Sequence, residues 1–124
     1  LIVAAVIFFC RDTSILPLAP EHATSIYFTS YPQYDGSYTV TDNSRIKDIV
    51  SAINELNMQE KTTRPDKMSN CYYYFFLNTP NEDISVELDE NTILLNNEVY
   101  QADTSDLRLL LDQTYNDIMN GKID

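Results

Sequence analysis

The feature that most constrains the fold of this chain is a run in which apolar and polar residues alternate. Ile84, Val86 and Leu88 are separated from one another by single polar residues, Ser85 and Glu87. Successive side chains of a β-strand point to opposite faces, so the run predicts a strand that is buried on one side only. A strand of this kind is typical of an antiparallel sheet with its core on one face.

Other segments carry strand patterns as well. Residues 24–31 alternate in the same way, and residues 71–78 form an aromatic run that is apolar on both faces. A run of the second kind is either a covered central strand or a strand that presents an aromatic face for binding. The dipeptides Asp35-Gly36 and Asn96-Asn97 are typical of tight hairpin turns, because Gly and Asn tolerate positive φ.

Two further segments repeat apolar residues at helical spacing, over about 43–58 and near 105–120. The apolar stripes are Ile46, Ile49, Val50, Ile53 and Leu56 in the first segment, and Leu107, Leu110, Leu111, Tyr115 and Ile118 in the second. The candidate capping residues are Thr41 or Asp42 for the first helix and Asp103 or Ser105 for the second. The order of elements predicts an α+β fold, in which an antiparallel meander of about five to six strands carries both helices on one face.

The chain opens with ten apolar residues, Leu1 to Cys10, and does not start with Met. A membrane span needs about 20 apolar residues, and the core of a signal peptide needs about 7–15. The run therefore fits the end of a transmembrane helix or most of a signal core, and a buried first element of the domain is the alternative. We divide the chain into a signal or transmembrane segment with its linker, residues 1–20, and one α+β domain, residues 21–124.

The charge of the chain argues against several classes of partner. Eight Lys and Arg residues against 19 Asp and Glu residues give a net charge of −11. Nucleic-acid binding needs clustered positive charge, so no nucleic-acid partner is expected. The same negative charge disfavours binding of the folded domain to anionic lipid headgroups. We therefore expect contact with a membrane only through the amino-terminal segment. With one His and two distant Cys residues, neither a metal site nor a cofactor is expected.

Acidic residues are concentrated towards the carboxyl end of the chain. From Glu82 to Asn120 there are ten acidic residues and one basic residue, Arg108. This segment is either a solvated surface or an attractor for a cationic peptide, a divalent ion or a basic domain. Segments 89–91 and 103–106 are rich in oxygen but lack the spacing of a calcium loop. Without a nucleophile motif we expect no enzyme, and a small cell-wall-directed hydrolase with paired carboxylates is the alternative.

The sharpest candidate site is an aromatic surface. If the apolar strand residues face the helices, Tyr27, Tyr31 and Glu87 face away from them, together with one alternation class of the run 71–78. Rigid aromatic rings beside a carboxylate suit a protein, a peptide or a glycan, unless loops cover this face. We predict that the binding residues are Tyr27, Tyr31, Tyr72, Tyr74 and Glu87.

The run from Tyr38 to Leu56, preceded by the strand Ile26-Tyr27-Phe28, resembles small uncharacterised extracytoplasmic domains of Gram-positive bacteria. Such domains are lipoprotein-like or membrane-anchored, and similar modules end some membrane proteins related to the beta-lactamase-sensing antirepressor peptidases. The likeness covers about residues 21–120 and transfers no site residue, because the peptidase motif H-E-x-x-H is missing. It implies a tethered or secreted domain that binds or senses a partner at the cell envelope.

Overall fold

The computed structural model of the protein describes residues 19, 22–30, 37–60 and 73–124. In chain order, these residues form β1 (Ser25–Ser30), β2 (Tyr38–Val40), α1 (Asn43–Asn54), β3 (Gln59–Glu60), β4 (Tyr73–Asn78), β5 (Asp83–Leu88), β6 (Thr92–Leu95), β7 (Glu98–Gln101) and α2 (Ser105–Met119).

The strands form one sheet in the order β2-β1-β4-β5-β6-β7-β3, and every neighbouring pair is antiparallel. The predicted α+β class is confirmed. The described residues form seven strands of the sheet rather than five to six, and the strand that the sequence did not predict is β3. It has two residues, both exposed, and therefore carries no alternation that a sequence pattern could reveal.

One continuous apolar core joins the sheet to the helices. The strand residues in it occupy a single face, and the main ones are Ile26, Phe28, Val40, Phe75, Leu77, Ile84, Val86, Leu88, Ile93 and Leu95. From the helices it includes Ile46, Ile49, Val50 and Ile53 of α1 and Leu107 and Leu111 of α2. Both helices therefore lie on one face of the sheet, as predicted, and we call the opposite side the outer face.

Helix α1 begins where the sequence predicts and ends earlier. Asp42 is its N-cap, and its Oδ1 accepts a hydrogen bond of 2.9 Å from the backbone N–H of Arg45. The helix ends at Asn54 with Glu55 as its C-cap, four residues before the predicted end at position 58. Leu56, the last member of the predicted stripe, lies beyond the helix but is still half-buried against the core.

The start of helix α2 differs by one residue from both predicted caps. Thr104 is the N-cap, while Asp103 accepts hydrogen bonds from the backbone N–H of Ser105 at 3.0 Å and from its hydroxyl at 2.7 Å. The side chain of Thr104 is turned inward, where its hydroxyl donates to the backbone carbonyl of Asp89. This contact between distant segments is not visible in a local pattern. Gly121, with φ of 70°, follows the helix in the positive-φ conformation that glycine adopts readily at helix ends.

Several predictions concern residues outside the described part. The signal or transmembrane segment and linker of residues 1–20 lie outside it except for residue 19, and so do the turn at Asp35-Gly36 and both cysteines. Within the described residues, no helix combines the length and the apolar character that crossing a bilayer requires.

Candidate functional site

Three of the five predicted binding residues belong to the described part of the chain. Tyr27 on β1, Tyr74 on β4 and Glu87 on β5 all lie on the outer face. Tyr31 and Tyr72 lie outside the described residues. The structure therefore brings Tyr27, Tyr74 and Glu87 to one side of the sheet, on three adjacent strands.

The strand register defines which of these residues are neighbours. Tyr27 lies directly opposite Phe76, and Tyr74 lies directly opposite Glu87. Residues that face each other across antiparallel strands have Cβ atoms about 4.5–5.5 Å apart, so both pairs are in side-chain contact range. The other alternation class of β4 points to the core: Tyr73 is 5% exposed and Phe75 is fully buried.

Phe76 completes the aromatic group, although it was not among the predicted site residues. Its ring centroid lies 5.1 Å from that of Tyr74, with the ring planes tilted by 46°. Tyr27 is 38% exposed, while Tyr74 and Phe76 are half-buried. Its position two residues after Tyr74 puts it in the alternation class of Tyr72 and Tyr74, one of the two classes of the run 71–78 that the sequence allowed on the outer face.

The outer face is not uniformly open to water. Leu94 lies opposite Glu87 on β6 and is only 1% exposed, and Val99, opposite Leu94 on β7, is 8% exposed. The sequence left open whether the outer face is covered, and in the β6–β7 half of the sheet these two residues are buried. The accessible part is the half formed by β1, β4 and β5, where Tyr27 and Asp83 are exposed.

Carboxylates border the aromatic group on β5. The outward-facing residues of this strand are Asp83, Ser85 and Glu87, and Ser85 lies opposite Phe76. Asp83 and Glu87 are therefore the two diagonal neighbours of Phe76 on β5, and each is about 7–8 Å from it, measured between backbone positions. Among the described strand residues that face outward there is no Lys, Arg or His. This half of the outer face is aromatic and acidic.

Hydrogen bonds hold the strands that carry this surface in register. Asn78 donates through Nδ2 to Ser25 Oγ at 2.8 Å, which links β4 to β1 at one end. The register shifts between Phe28 and Ser30, and the Thr29 hydroxyl donates to the carbonyl of Tyr74 at 3.2 Å. This bulge disrupts the ladder locally next to Tyr74.

The other side of β5 is secured by the turn between β6 and β7. The side-chain Oδ1 of Asn96 accepts a hydrogen bond of 2.9 Å from the backbone N–H of Ser85. Asn96 and Asn97 have φ values of 49° and 71°, so the predicted turn is confirmed. The turn therefore both closes the hairpin and satisfies a donor on the strand that carries the carboxylates.

Two surface depressions of about 260 Å³ each lie away from this surface, near the end of α1 and the start of α2. They share Asn57 and Asp103, and Glu55 and Asp106 line one of them. The carboxylates there are candidates for the paired acids of a hydrolase, whose general acid needs a raised pKa. Hydrogen bonds from Ser105 instead lower the pKa of Asp103. These depressions therefore give no support to general-acid catalysis by Asp103.

The two oxygen-rich segments have structural roles in this fold. Asp89 Oδ1 accepts backbone hydrogen bonds from Asn91 at 3.0 Å and Thr92 at 2.9 Å, which closes the turn between β5 and β6. In the second segment, Thr104 ties the start of α2 to that turn. Within the described ranges, no group of three or more His, Cys, Asp or Glu residues could hold a metal ion.

Comparisons of the chain with protein-family models, with curated proteins and with solved structures give no match.

Proposed function

We propose that the protein is a non-enzymatic binding domain that works outside the membrane, either tethered or secreted, and contacts its partner through the outer face of its sheet. The observation that carries this proposal is the pairing of exposed Tyr27 with Phe76 on the face opposite both helices. Tyr74 and Glu87 adjoin this pair. We call Tyr27, Phe76 and Asp83 the Tyr27 patch.

An aromatic pair on two paired strands is suited to recognition rather than to stability alone. A half-exposed ring gains additional apolar contact when a partner covers it, and it loses little side-chain entropy because it has only two rotatable bonds. Strands that are paired on both sides, as β1 and β4 are, hold these rings in place before the partner arrives.

The location of the domain is supported by the apolar run at residues 1–10, which fits a signal core or the end of a membrane helix. A fusion of alkaline phosphatase after Asp124 of the natural gene product tests this point, because the reporter needs disulfides that form outside the cytoplasm. Phosphatase activity in intact cells is expected. An inactive but fully expressed fusion would contradict the location without bearing on the binding surface.

The binding surface is tested by selection from a displayed peptide library and by a glycan array, each with wild-type protein and two variants. Tyr27→Ser removes the exposed ring, and Leu109→Ser removes an even more exposed apolar residue, 68% exposed, from helix α2. We expect ligands that bind wild type and Leu109→Ser but not Tyr27→Ser, with similar melting temperatures for all three proteins. Binding that Tyr27→Ser leaves intact, or no ligand in either format, would overturn the proposed surface.

A further inference from the structure

We infer that the Tyr27 patch receives a lysine or arginine side chain from a basic polypeptide segment of the partner. This inference rests on the proposed function, and it specifies the chemistry of the ligand. The patch combines two features that a cation needs, namely exposed aromatic surface at Tyr27 and a carboxylate at Asp83.

The strand register places Phe76 between Tyr27 and Asp83 on the outer face. Phe76 is directly opposite Tyr27 on one side and directly opposite Ser85 on the other. Asp83 precedes Ser85 by two residues, so its side chain lies on the same face, diagonally next to the Phe76 ring. A cationic side chain that lies along the Phe76 ring can therefore reach the Asp83 carboxylate with its charged end, while Tyr27 borders the same ring on the other side.

The distribution of charge supports a cation over other ligands. The whole chain carries a net charge of −11, which attracts a basic segment and repels an acidic one. The described Lys and Arg residues all belong to the helices or follow α2: Arg45, Lys47, Arg108 and Lys122. None of them lies on a strand of the sheet. A neutral glycan would gain stacking on the rings but would leave the charge of the patch unused.

Two interactions would contribute to the affinity. A cation within about 6 Å of an aromatic centroid contributes about a two- to fivefold gain at an exposed site. An exposed ion pair with Asp83 contributes a gain of similar size, and it weakens as salt is added. The effects of single substitutions should therefore be modest individually and clear in combination.

The experiment titrates isotope-labelled protein with three peptides of equal length, in which Ser alternates with Lys, Gln or Asp. Backbone chemical shifts locate the contact and give the Kd. We expect the Lys peptide to bind at β1, β4 and β5, more weakly at higher salt, and the other two to bind far less. Asp83→Asn should raise the Kd about two- to fivefold, and Tyr27→Leu about as much.

The matched control is Asp48→Asn, which removes the same charge from an exposed position on α1. A Kd that rises equally with Asp48→Asn and Asp83→Asn would show unspecific attraction to an acidic protein and would overturn the inference. So would equal binding of the three peptides. Peptide binding seen only after Lys61, Arg64 and Lys67 are replaced by Ser would assign the patch to cations of the chain itself, and would likewise overturn the inference.

The same measurements separate this inference from the proposed function. If a neutral peptide or a glycan shifts the signals of the Tyr27 patch and Tyr27→Ser abolishes that binding, the binding surface stands and only the cationic ligand is wrong. If no probe shifts signals of the patch, while the variants remain folded by thermal melting, both are wrong.

Discussion

Arg45 Nη2 and Asp117 Oδ2 lie 2.6 Å apart and join helix α1 to helix α2. Both side chains are largely buried, with 14% and 15% of their surface exposed. The second guanidinium nitrogen of Arg45 donates to Thr114 Oγ1 at 3.1 Å, and Thr114 in turn donates to the carbonyl of Leu110 at 2.7 Å. A short polar chain therefore holds together the helix layer that covers the inner face of the sheet.

Replacing Arg45 with Ala should lower the free energy of unfolding by about 1–3 kcal/mol, because Asp117 is left partly buried without its cation. Urea denaturation measures the change. Lys47→Ala, two positions away and exposed, is the control and should change the free energy by less than about 0.5 kcal/mol. Equal effects of the two substitutions would show that the ion pair contributes nothing.

Tyr73 links the inner face of the sheet to α2. Its hydroxyl donates to Asp112 Oδ1 at 2.5 Å, and the side chain is 5% exposed. Tyr73→Phe should therefore cost about 1–3 kcal/mol in the free energy of unfolding, since a hydrogen bond to a charged group is lost. Tyr27→Phe makes the same chemical change at an exposed position and should cost less than about 0.5 kcal/mol. A Tyr73→Phe protein as stable as wild type would contradict this role.

Leu94 tests whether the β6–β7 half of the outer face is packed. Because it is 1% exposed, Leu94→Ala should lower the free energy of unfolding by about 2–5 kcal/mol. Leu109→Ala removes the same atoms from a side chain that is 68% exposed, and should have little effect. Chemical denaturation of both variants gives the comparison. A small loss at Leu94 would mean that this side of the sheet is open to solvent.

Tyr38 makes stability depend on pH in the alkaline range. Its ring is stacked on Phe28 at 4.6 Å, and burial, followed by the nearby Tyr115 and Asp112, raises the pKa of its phenol above the ordinary 10.0. The unfolded chain then loses this proton at a lower pH than the folded protein. The stabilisation is therefore present below about pH 10 and is lost as the pH rises towards the folded-state pKa.

The measurement is urea denaturation at a series of pH values from neutral to about pH 11. This range includes the pH at which the phenol of the unfolded chain loses its proton. Tyr38→Phe keeps the ring and removes the titrating group, so its free energy of unfolding should decline less steeply above about pH 10. Burial also raises the pKa of the Tyr100 phenol, with Glu98 and Glu60 adding to the effect, so part of the slope should remain. Identical slopes for wild type and Tyr38→Phe would contradict the prediction.

Much of the fold could be predicted because the deciding patterns are local. Ile84, Val86 and Leu88 are buried as their alternation predicts, and Asn96 and Asn97 adopt positive φ as their residue types allow. The buried side of α1 likewise follows from helical spacing. In each case the relevant residues are close together in the sequence and belong to one strand, turn or helix. The geometry of that element alone determines which side chains share a face.

The candidate site could be predicted only in part. The alternation of β1 and β5 placed Tyr27 and Glu87 on one side, but β4 is aromatic on both faces, and only its pairing with Phe28 and Val86 shows that Tyr74 faces outward. The burial of Leu94 was not predictable from β6 itself, because Ile93, Leu94 and Leu95 are consecutive apolar residues and all four residues of the strand are buried. A segment without alternation contains no information about which face is covered.

Short-range periodicity was thus sufficient for the class of fold, the helix faces and the hairpin turn, because these depend on backbone geometry within one element. The order of strands, the Arg45–Asp117 contact and the neighbours of Phe76 required the folded protein. They join residues that are far apart in the chain, such as positions 45 and 117, and distant side chains meet only when the whole core has formed around them.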